Sequence, residues 1–498
     1  MYFVDAIVYP FKQLDNLLFL PTAEISGLHE GEVRYMFLLF CSIFLGFVMK
    51  HVLHPSRVTI TTRHCYSSFV GLVFGLMCFG FVEMIYLLIV IGSCYTLLLV
   101  ISPNVVQKYT MIWMLVCVSA AHVYRMITAY GDYKVDFTGP LMIIVQRTTY
   151  VAFALHDGMA HQPSSLNEDQ QRHQLKQRPT SLEYLSYNFC FLSFLAGPAC
   201  PYKDYDDFIT GANFTSAKLS KLNQSAMVKD RVEEPSNLDA VLRKTVTAII
   251  FAIIYLVSGH FFPVDMVLAP DVNPMKRLIL LYIVTFGIRG RYYFGWLIVD
   301  SVCNSAGLGF NGYNKLGYAQ WDLVTGMDIW AFEFGTSLRT VINGWNVMTT
   351  HWLRRVCYER VKFMDPTLAS FILSAWWHGF YPAFYLMFVT LALNLMAARK
   401  MRRLLHHHFQ SPPIVKQIYD VLTWFIAIMS TDIASFSIMI LTLEGTLQHF
   451  GYYYYINVIV PLVIIVLPIG KKSRRELQQK NVSANVKEEQ TEVASKDN

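Results

Sequence analysis

The chain has 498 residues, of which 54% are hydrophobic and only 15% charged, and its mean hydropathy is +0.37. This composition excludes an ordinary soluble globular protein. The formal net charge of +6 is concentrated in short basic segments such as 399–403 and 471–475, which is typical of the cytoplasmic loops of membrane proteins. The composition therefore predicts a protein that lies in the lipid bilayer and binds no nucleic acid.

Apolar segments of spanning or nearly spanning length recur along the chain, since about 20 residues cross the hydrocarbon core of a bilayer. In chain order we predict helices over 33–53, 69–101 (two helices with a break at Glu83), 109–127, 140–156, 184–198, 246–262, 278–299, 366–397, 417–443 and 452–469. An amphipathic helix is predicted over 339–358, because apolar residues recur there every three or four positions. The predicted fold class is all-α, a polytopic transmembrane protein of about ten to eleven helices.

The polar ends of the chain set the predicted domain organisation. Residues 1–32 carry an excess of acidic side chains, which favours the lumenal side of the membrane. Residues 471–498 are too polar to bury themselves, so we predict a disordered cytosolic tail. A single membrane-embedded domain over 33–470 remains between these two segments.

The distribution of basic residues predicts part of the topology. The basic loop over 399–416 is separated from the basic tail by two predicted spans, so both can face the cytosol. The same rule gives no orientation for the predicted helix 366–397. Basic residues lie at both of its ends, over 354–362 before it and over 399–403 after it.

Cysteine and histidine patterns predict no metal site. None of the nine cysteines forms a CxxC pair, and most of them lie in or beside apolar segments, as small buried residues do. Three consecutive histidines occupy 406–408. Adjacent side chains on a helix point in different directions, so metal binding by this run is the weaker interpretation.

One histidine lies inside an apolar, aromatic segment. No residue with a formal charge lies between Phe371 and Phe388, and His378 is in the middle of that stretch. An ionisable side chain within a span is by default a candidate for function. Pro382 removes the helical partner of the His378 carbonyl, which predicts a kink, and Tyr381 would share the face of the histidine. The alternative is a core histidine whose hydrogen bonds are satisfied by a neighbouring helix.

A second polar candidate, Asn346, lies beside the apolar stripe of the amphipathic helix. The opposite side of that helix is predicted to face water or headgroups and carries His351, Arg354 and Arg355. If this helix ends near Tyr358 and the next begins near Pro366, Asn346 and His378 both lie about 18 Å from the turn, at similar depth. The alternative is an asparagine that simply bonds to another helix.

A buried neutral imidazole beside an amide can catalyse acyl transfer. The imidazole accepts the proton of a hydroxyl that attacks an electrophile, and the amide orients the ring or donates to the oxygen that gains charge. An activated thioester needs no covalent enzyme nucleophile, which agrees with the absence of a GxSxG motif.

The stretch "NGWNVMTTHWLRRVCYERVKF…FILSAWWHGFYPAFY" resembles the membrane-bound O-acyltransferases. "LHDG" at 155–158, "SLEYLSY" at 181–187 and "LAGPACPYKDYDDFITG" at 195–211 are similar to their lysophospholipid acyltransferase branch. The resemblance covers roughly residues 30 to 470. It implies that His378 and Asn346 are catalytic and that the helices enclose a buried chamber.

The resemblance also implies the reaction. An acyl chain, expected to be unsaturated, would pass from acyl-CoA as co-substrate to the free hydroxyl of a lysophospholipid, with no bound cofactor, in the endoplasmic reticulum membrane. Lysophosphatidylethanolamine or lysophosphatidylserine is favoured, and a choline lysolipid is possible. The headgroup expectation depends on the branch alone.

Three other interpretations stay open. A His-x4-Asp acyltransferase motif occurs at His260 and Asp265, although that enzyme class lacks ten spans. A transporter could use His378, Glu83 and Arg289 as a proton or ion relay. Arg289 could also face an aqueous cavity, or it could pair with Asp300 or with a glutamate on another helix. A family member could also use a sterol, diacylglycerol or protein acceptor, but the "FYxDWWN" pattern of the sterol and diglyceride branch is missing.

Overall fold

The computed structural model describes residues 15–26, 28–131, 135–214 and 234–468. Within these ranges the chain is helical, and its one extended pairing is a single bridge between Tyr313 and Ala319. The predicted all-α fold class is confirmed. The predicted lumenal segment is described only from Asp15 onward, and the predicted tail 471–498 lies outside the described residues.

Long helices form most of this structure. The helices of 20 residues or more are Glu30–His51, Ile60–Phe79, Phe81–Val100, Val106–Thr128, Thr138–Ala160, Leu238–Phe261, Pro274–Ala306, Pro382–Leu405 and Pro413–Ser435. The shorter α-helices are Leu20–Ser26, Glu168–His173, Ser181–Asn188, Tyr202–Thr210, Asp265–Leu268, Ile329–Phe334, Leu338–Gly344, Val347–Leu353, Pro366–His378, Ser437–Ile440, Leu443–Gly451 and Ile456–Val466. Short 3-10 or π-helical turns are Asp15–Phe19, Pro163–Ser165, Ala212–Phe214, Arg354–Tyr358 and His406–Phe409.

Several of these helices can cross a membrane. Among the described residues, 6 are both long and apolar enough: Glu30–His51, Phe81–Val100, Val106–Thr128, Leu238–Phe261, Pro382–Phe409 and Pro413–Ile440. The pair Leu443–Gly451 and Ile456–Val466, bent by 78° at its break, gives a seventh if it counts as one span. The chain is therefore a multi-pass membrane protein, and the count of ten to eleven helices stays a prediction.

The break inside the predicted segment 69–101 lies at Gly80 instead of Glu83. Gly80 has a φ of +90°, a conformation that favours glycine, and it separates Ile60–Phe79 from Phe81–Val100. Glu83 instead lies in the first turn of the second helix, where the helix dipole favours a negative charge.

The predicted helix 184–198 is wrong, because the helix there ends at Asn188. Arg147 reaches across from another helix and donates to the carbonyls of Tyr187 (2.9 Å) and Asn188 (2.6 Å). These carbonyls would otherwise need the N–H groups of a continuing helix. A buried arginine therefore ends the helix without any signal in the local sequence.

The predicted helix 366–397 is a hairpin of two antiparallel helices. We call Pro366–His378 the histidine helix and Pro382–Leu405 the return helix. The contacts along the pair are Arg399 Nη1 to Thr367 Oγ1 at 2.8 Å, the Phe371 and Phe388 rings at 6.3 Å, and the His378 and Phe384 rings at 6.2 Å. The sequence predicts only a kink at Pro382, whereas the chain reverses its direction there.

This hairpin brings the two basic flanks of the histidine segment to one end of the molecule. Arg399, at the end of the return helix, bonds to Thr367, at the start of the histidine helix. Lys400 donates to the carbonyls of Ile464 (2.7 Å) and Ile465 (3.1 Å), near the end of the last described helix. The basic loop and the chain that leads into the tail therefore lie at one end of the described structure, and their cytosolic location stays a prediction.

The charges inside the predicted span 278–299 are paired. Arg289 is buried and donates to both oxygens of Glu333 (2.8 and 3.0 Å) and to Asp432 (2.6 Å). Asp300 instead pairs with Lys244 at 2.8 Å. Pairing with a glutamate on another helix is therefore the correct alternative for Arg289, because a buried guanidinium needs carboxylate partners.

Candidate active site

His378 is the last residue of the histidine helix. Gly379 follows with a φ of +123°, and Pro382 is the first residue of the return helix. The backbone N–H of Gly379 donates to the carbonyls of Ala375 and Trp376, both at 3.2 Å. The local sequence therefore ends one helix and starts the next within four residues, and it places the histidine at the turn.

The hydrogen bonds of His378 fix its tautomer. Nδ1 lies 2.7 Å from the carbonyl oxygen of Ser374. A carbonyl oxygen only accepts, so Nδ1 carries the proton in the neutral ring and Nε2 keeps its lone pair. Nε2 makes no hydrogen bond to any described residue. Aromatic rings surround the imidazole, with centroids 4.7 Å away at Trp377 and 4.9 Å away at Phe388.

An open cavity with about 430 Å³ of empty volume lies beside this ring. We call Val106–Thr128 the wall helix, because its last turns form one wall of the cavity. The residues of this wall are His122, Arg125 and Met126 of the wall helix and Gly131, just beyond its end. The other wall consists of His378, Gly379, Phe380, Tyr381, Phe384 and Leu441. Tyr381 lines the cavity, and its hydroxyl accepts a hydrogen bond from the Gly131 N–H at 3.1 Å.

Asn346 does not lie inside a helix, so the predicted continuous helix 339–358 is wrong. The chain forms Leu338–Gly344 and Val347–Leu353, and Asn346 precedes the second helix with φ 44° and ψ 60°, in the left-handed region. Asparagine tolerates this conformation better than most other residues. A Cβ added at Gly344 would lie 2.9 Å from the Asp328 carbonyl oxygen, so the chain passes close to another segment at the break.

The structure does not bring Asn346 and His378 into contact. Among the described residues, no hydrogen bond joins the two side chains, and Asn346 does not line the cavity beside His378. The helix Val347–Leu353, which follows Asn346, contacts the histidine helix through the rings of Trp352 and Trp377, whose centroids are 5.8 Å apart. The predicted match in depth assumed an unbroken helix through Asn346, and that premise is wrong.

Arg355, predicted to face water, is buried. Its guanidinium donates to both carboxylate oxygens of Asp169, at 2.7 and 2.6 Å. Arg355 follows Trp352 by three positions and Met348 by seven, so on a helix it shares the face of these two buried residues, and its predicted placement on the outer face is wrong. His351 and Arg354 are exposed as predicted.

His173 extends this ion pair, and its titration gives a prediction. Burial disfavours the charged ring, but hydrogen bonds to Asp169 and Asp204 outweigh burial and raise the pKa of His173 above 6.5. The contribution of protonated His173 to stability is therefore full below pH 6.5 and is lost as the pH rises through the raised pKa. We expect His173→Gln to lower the melting temperature more at about pH 6 than at about pH 9. An equal loss at both pH values would contradict this role.

The other sequence candidates do not form sites. His260 and Asp265 are both exposed, and no hydrogen bond or ion pair between them occurs in the described part of the chain. The proposed relay of Glu83, Arg289 and His378 is not assembled by any contact between these side chains in the described ranges. The histidines at 406–408 lie in the 3-10 turn His406–Phe409, and His407 and His408 are exposed. No group of three or more metal-ligating side chains occurs within the described residues, and all nine cysteines are free.

The turn after His378 is sensitive to any side chain at Gly379. A Cβ there would lie 3.3 Å from Nδ1 of His122, and a φ of +123° strains residues other than glycine by about 1–3 kcal/mol. We expect Gly379→Ala to displace His378 and to lower the rate of any reaction at this site on the order of 10²-fold. Gly92→Ala is the matched control, because nothing lies within 4 Å of its added Cβ. Equal activity of the two variants, compared per folded molecule, would contradict a strained turn.

The sequence analysis misses His122. This histidine lies within the predicted span 109–127, so the rule that singles out His378 applies to it equally. His122 bonds to the backbone of Trp377, which is 255 residues away in sequence, and no local pattern connects these two residues. The structure places both histidines on one cavity.

Comparison with known proteins identifies the family. Residues 123–440 match the model of the membrane-bound O-acyltransferase family, MBOAT. The chain is 36% identical over 470 residues to lysophospholipid acyltransferase 6 of Drosophila melanogaster, covering 93% of this chain and 65% of that protein. It is 33% identical over 455 residues to membrane-bound glycerophospholipid O-acyltransferase 1 of Mus musculus, covering 90% of this chain and 92% of that protein.

A relative from a distant organism agrees with these two. The chain is 28% identical over 386 residues to the lysophospholipid acyltransferase of Schizosaccharomyces pombe, covering 74% of each protein. The matched family region contains the wall helix from residue 123 onward, Asn346, the histidine helix and the return helix. The chain therefore belongs to the membrane-bound O-acyltransferase family.

Proposed function

We propose that this protein is a lysophospholipid O-acyltransferase that moves an acyl chain from acyl-CoA to the free glycerol hydroxyl of a lysophospholipid. Its relatives are named as acyltransferases of lysophospholipids or glycerophospholipids, and these names support the proposed substrate class. The multi-pass fold supports access to a lipid substrate from the bilayer. We place the enzyme in the endoplasmic reticulum membrane, on the resemblance to this branch.

One observation carries the mechanism: the neutral tautomer of His378 has its Nε2 lone pair free beside a cavity. In the proposed reaction Nε2 removes the proton of the lysophospholipid hydroxyl as that oxygen attacks the thioester carbonyl. The tetrahedral intermediate then collapses, the C–S bond breaks, and the imidazolium returns the proton to the CoA thiolate. One ester bond replaces one thioester bond, so no further cofactor is needed.

The bond from Nδ1 to the Ser374 carbonyl supports this role. It holds the ring in one tautomer and stabilises the imidazolium while the proton resides on Nε2. On the resemblance alone we propose that Asn346, which does not line the cavity beside His378, donates to the oxygen that gains negative charge when a bound substrate extends from that cavity to its amide. Its side chain has no hydrogen-bond partner among the described residues and is only partly buried, so its amide is free to bond a substrate.

The substrate preference is the finer part of the proposal. We expect ethanolamine or serine lysolipids and an unsaturated acyl-CoA, with choline lysolipids as weaker acceptors. The test uses microsomes that contain the full chain, incubated with a panel of lysolipids and with oleoyl-CoA or palmitoyl-CoA, and mass spectrometry of the products. Microsomes with His378→Ala provide the background. Acylation of a sterol or of diacylglycerol, with no lysolipid product, would overturn the proposed acceptor class.

A further inference from the structure

We propose that His122 is a positioning residue that holds the turn carrying His378 in its reactive geometry. The inference rests on the proposed function, because a histidine can be positioned for catalysis only if His378 acts as the base. His122 belongs to the wall helix, and the ring is 4% exposed. It contacts the residues on both sides of His378 without bonding to the His378 ring.

The first contact gives a hydrogen-bond partner to a backbone carbonyl at the end of the histidine helix. The last carbonyls of a helix lack partners within it, and Gly379 serves those of Ala375 and Trp376. The carbonyl of Trp377 is bonded from a different helix, by Nε2 of His122 at 3.0 Å. Since a carbonyl only accepts, Nε2 of His122 carries the proton. A side chain from the wall helix therefore caps the residue that immediately precedes His378.

The second contact lies on the other side of His378. The His122 ring covers Gly379 so closely that an added Cβ there would lie 3.3 Å from Nδ1 and 3.4 Å from Cγ. The ring of Phe380 meets the same imidazole edge-on, with centroids 6.5 Å apart. The backbone before and after His378 is thus held by one rigid side chain, and a shift of this side chain would move the Nε2 of His378.

A second hydrogen bond joins the wall helix to the histidine helix, and its two residues do not line the cavity. Ser119 lies one turn before His122, and its hydroxyl accepts a hydrogen bond from Nε1 of Trp376 at 2.8 Å. Trp376 is 41% exposed, on the outer side of the histidine helix. Loss of this bond weakens the contact between the two helices without loosening the residues that adjoin His378. Ser119→Ala is therefore a matched control for a purely structural effect.

Two substitutions at His122 distinguish the effect of losing the Nε2–H donor from the effect of losing the ring. His122→Gln keeps an N–H donor near the position of Nε2, whereas His122→Phe keeps a ring but loses the donor. For His122→Phe we expect kcat to fall about 10²-fold with less than about a threefold change in KM for acyl-CoA, because misplacement of the base affects the chemical step. His122→Gln should recover most of kcat, and Ser119→Ala should stay within about twofold of wild type.

The experiment measures kcat and KM on purified full-length protein in detergent, normalised to the folded amount from size-exclusion chromatography. If His122→Phe does not fold, His122→Met, which also lacks the donor, takes its place. Near-wild-type kcat in the donor-less variant, or equal losses in the Gln and Phe variants, would overturn the positioning role. These results differ from a failure of the proposed function, in which His378→Ala itself would retain wild-type activity.

Discussion

His378→Ala is expected to abolish acyl transfer while the protein remains folded in the membrane. The variant removes the Nε2 base and leaves the helix end intact, because alanine suits the last position of a helix. Loss of a general base reduces rates by about 10²–10⁴-fold. The measurement is the initial rate of product formation per folded molecule, with oleoyl-CoA and a lysophospholipid as substrates.

His449 provides the control for removal of a buried histidine. Its ring is fully buried and, as in His122, Nε2 bonds to a backbone carbonyl, that of Ile433 at 3.0 Å. It does not line the cavity beside His378. His449→Ala should lower the folded amount and leave the rate per folded molecule close to wild type. Equal rates per folded molecule in His378→Ala and His449→Ala would contradict the assignment of His378.

Asn346→Gly is expected to lower the catalytic rate by about 10²–10³-fold without unfolding the protein. Glycine adopts the left-handed conformation of Asn346 readily, so this variant removes the amide and preserves the backbone. Asn346→Ala is a poorer test, because a left-handed alanine adds about 1–2 kcal/mol of strain to the loss of the amide. The measurement is kcat and KM for acyl-CoA, per folded molecule.

Asn346→Asp distinguishes a donor from a conformational role. Aspartate also tolerates the left-handed region and has nearly the same shape, but it replaces the amide donor with a negative charge. A donor to the developing oxyanion predicts that the Asp and Gly variants lose activity equally or that the Asp variant loses more. If both variants keep wild-type rates, Asn346 is present only because the break in the chain requires its backbone conformation.

Local sequence was sufficient to predict the boundaries of helices that depend only on their own residues. Val106–Thr128 and Thr138–Ala160 begin and end within a few residues of their predicted bounds, since long apolar runs favour helices. Near His378 the sequence showed only a kink, through Pro382. It could not show that the chain reverses there, because a proline at this position is compatible with a kinked helix and with the start of a new helix.

Two of the errors have a common cause, which is a side chain from a distant segment. Arg147 ends the helix at Asn188, and Arg355 is buried in a pair with Asp169. After the break at Asn346, Met348 and Trp352 are buried, as the predicted apolar stripe over 339–358 requires. Periodicity therefore identified part of the buried face, but it missed the burial of Arg355 and the interruption at the candidate catalytic residue.

The proposed one-step acyl transfer with His378 as the base is tested most directly by the stoichiometry of the reaction with purified protein. Detergent-solubilised full-length chain is incubated with oleoyl-CoA, with and without lysophosphatidylethanolamine, and free CoA thiol and diacyl phospholipid are measured in the same sample. One-step transfer by a histidine base predicts equal amounts of thiol and phospholipid, formation of both only when the lysolipid is present, and neither product with His378→Ala. Thiol release that does not depend on the lysolipid, or phospholipid formation that survives in His378→Ala, would contradict it.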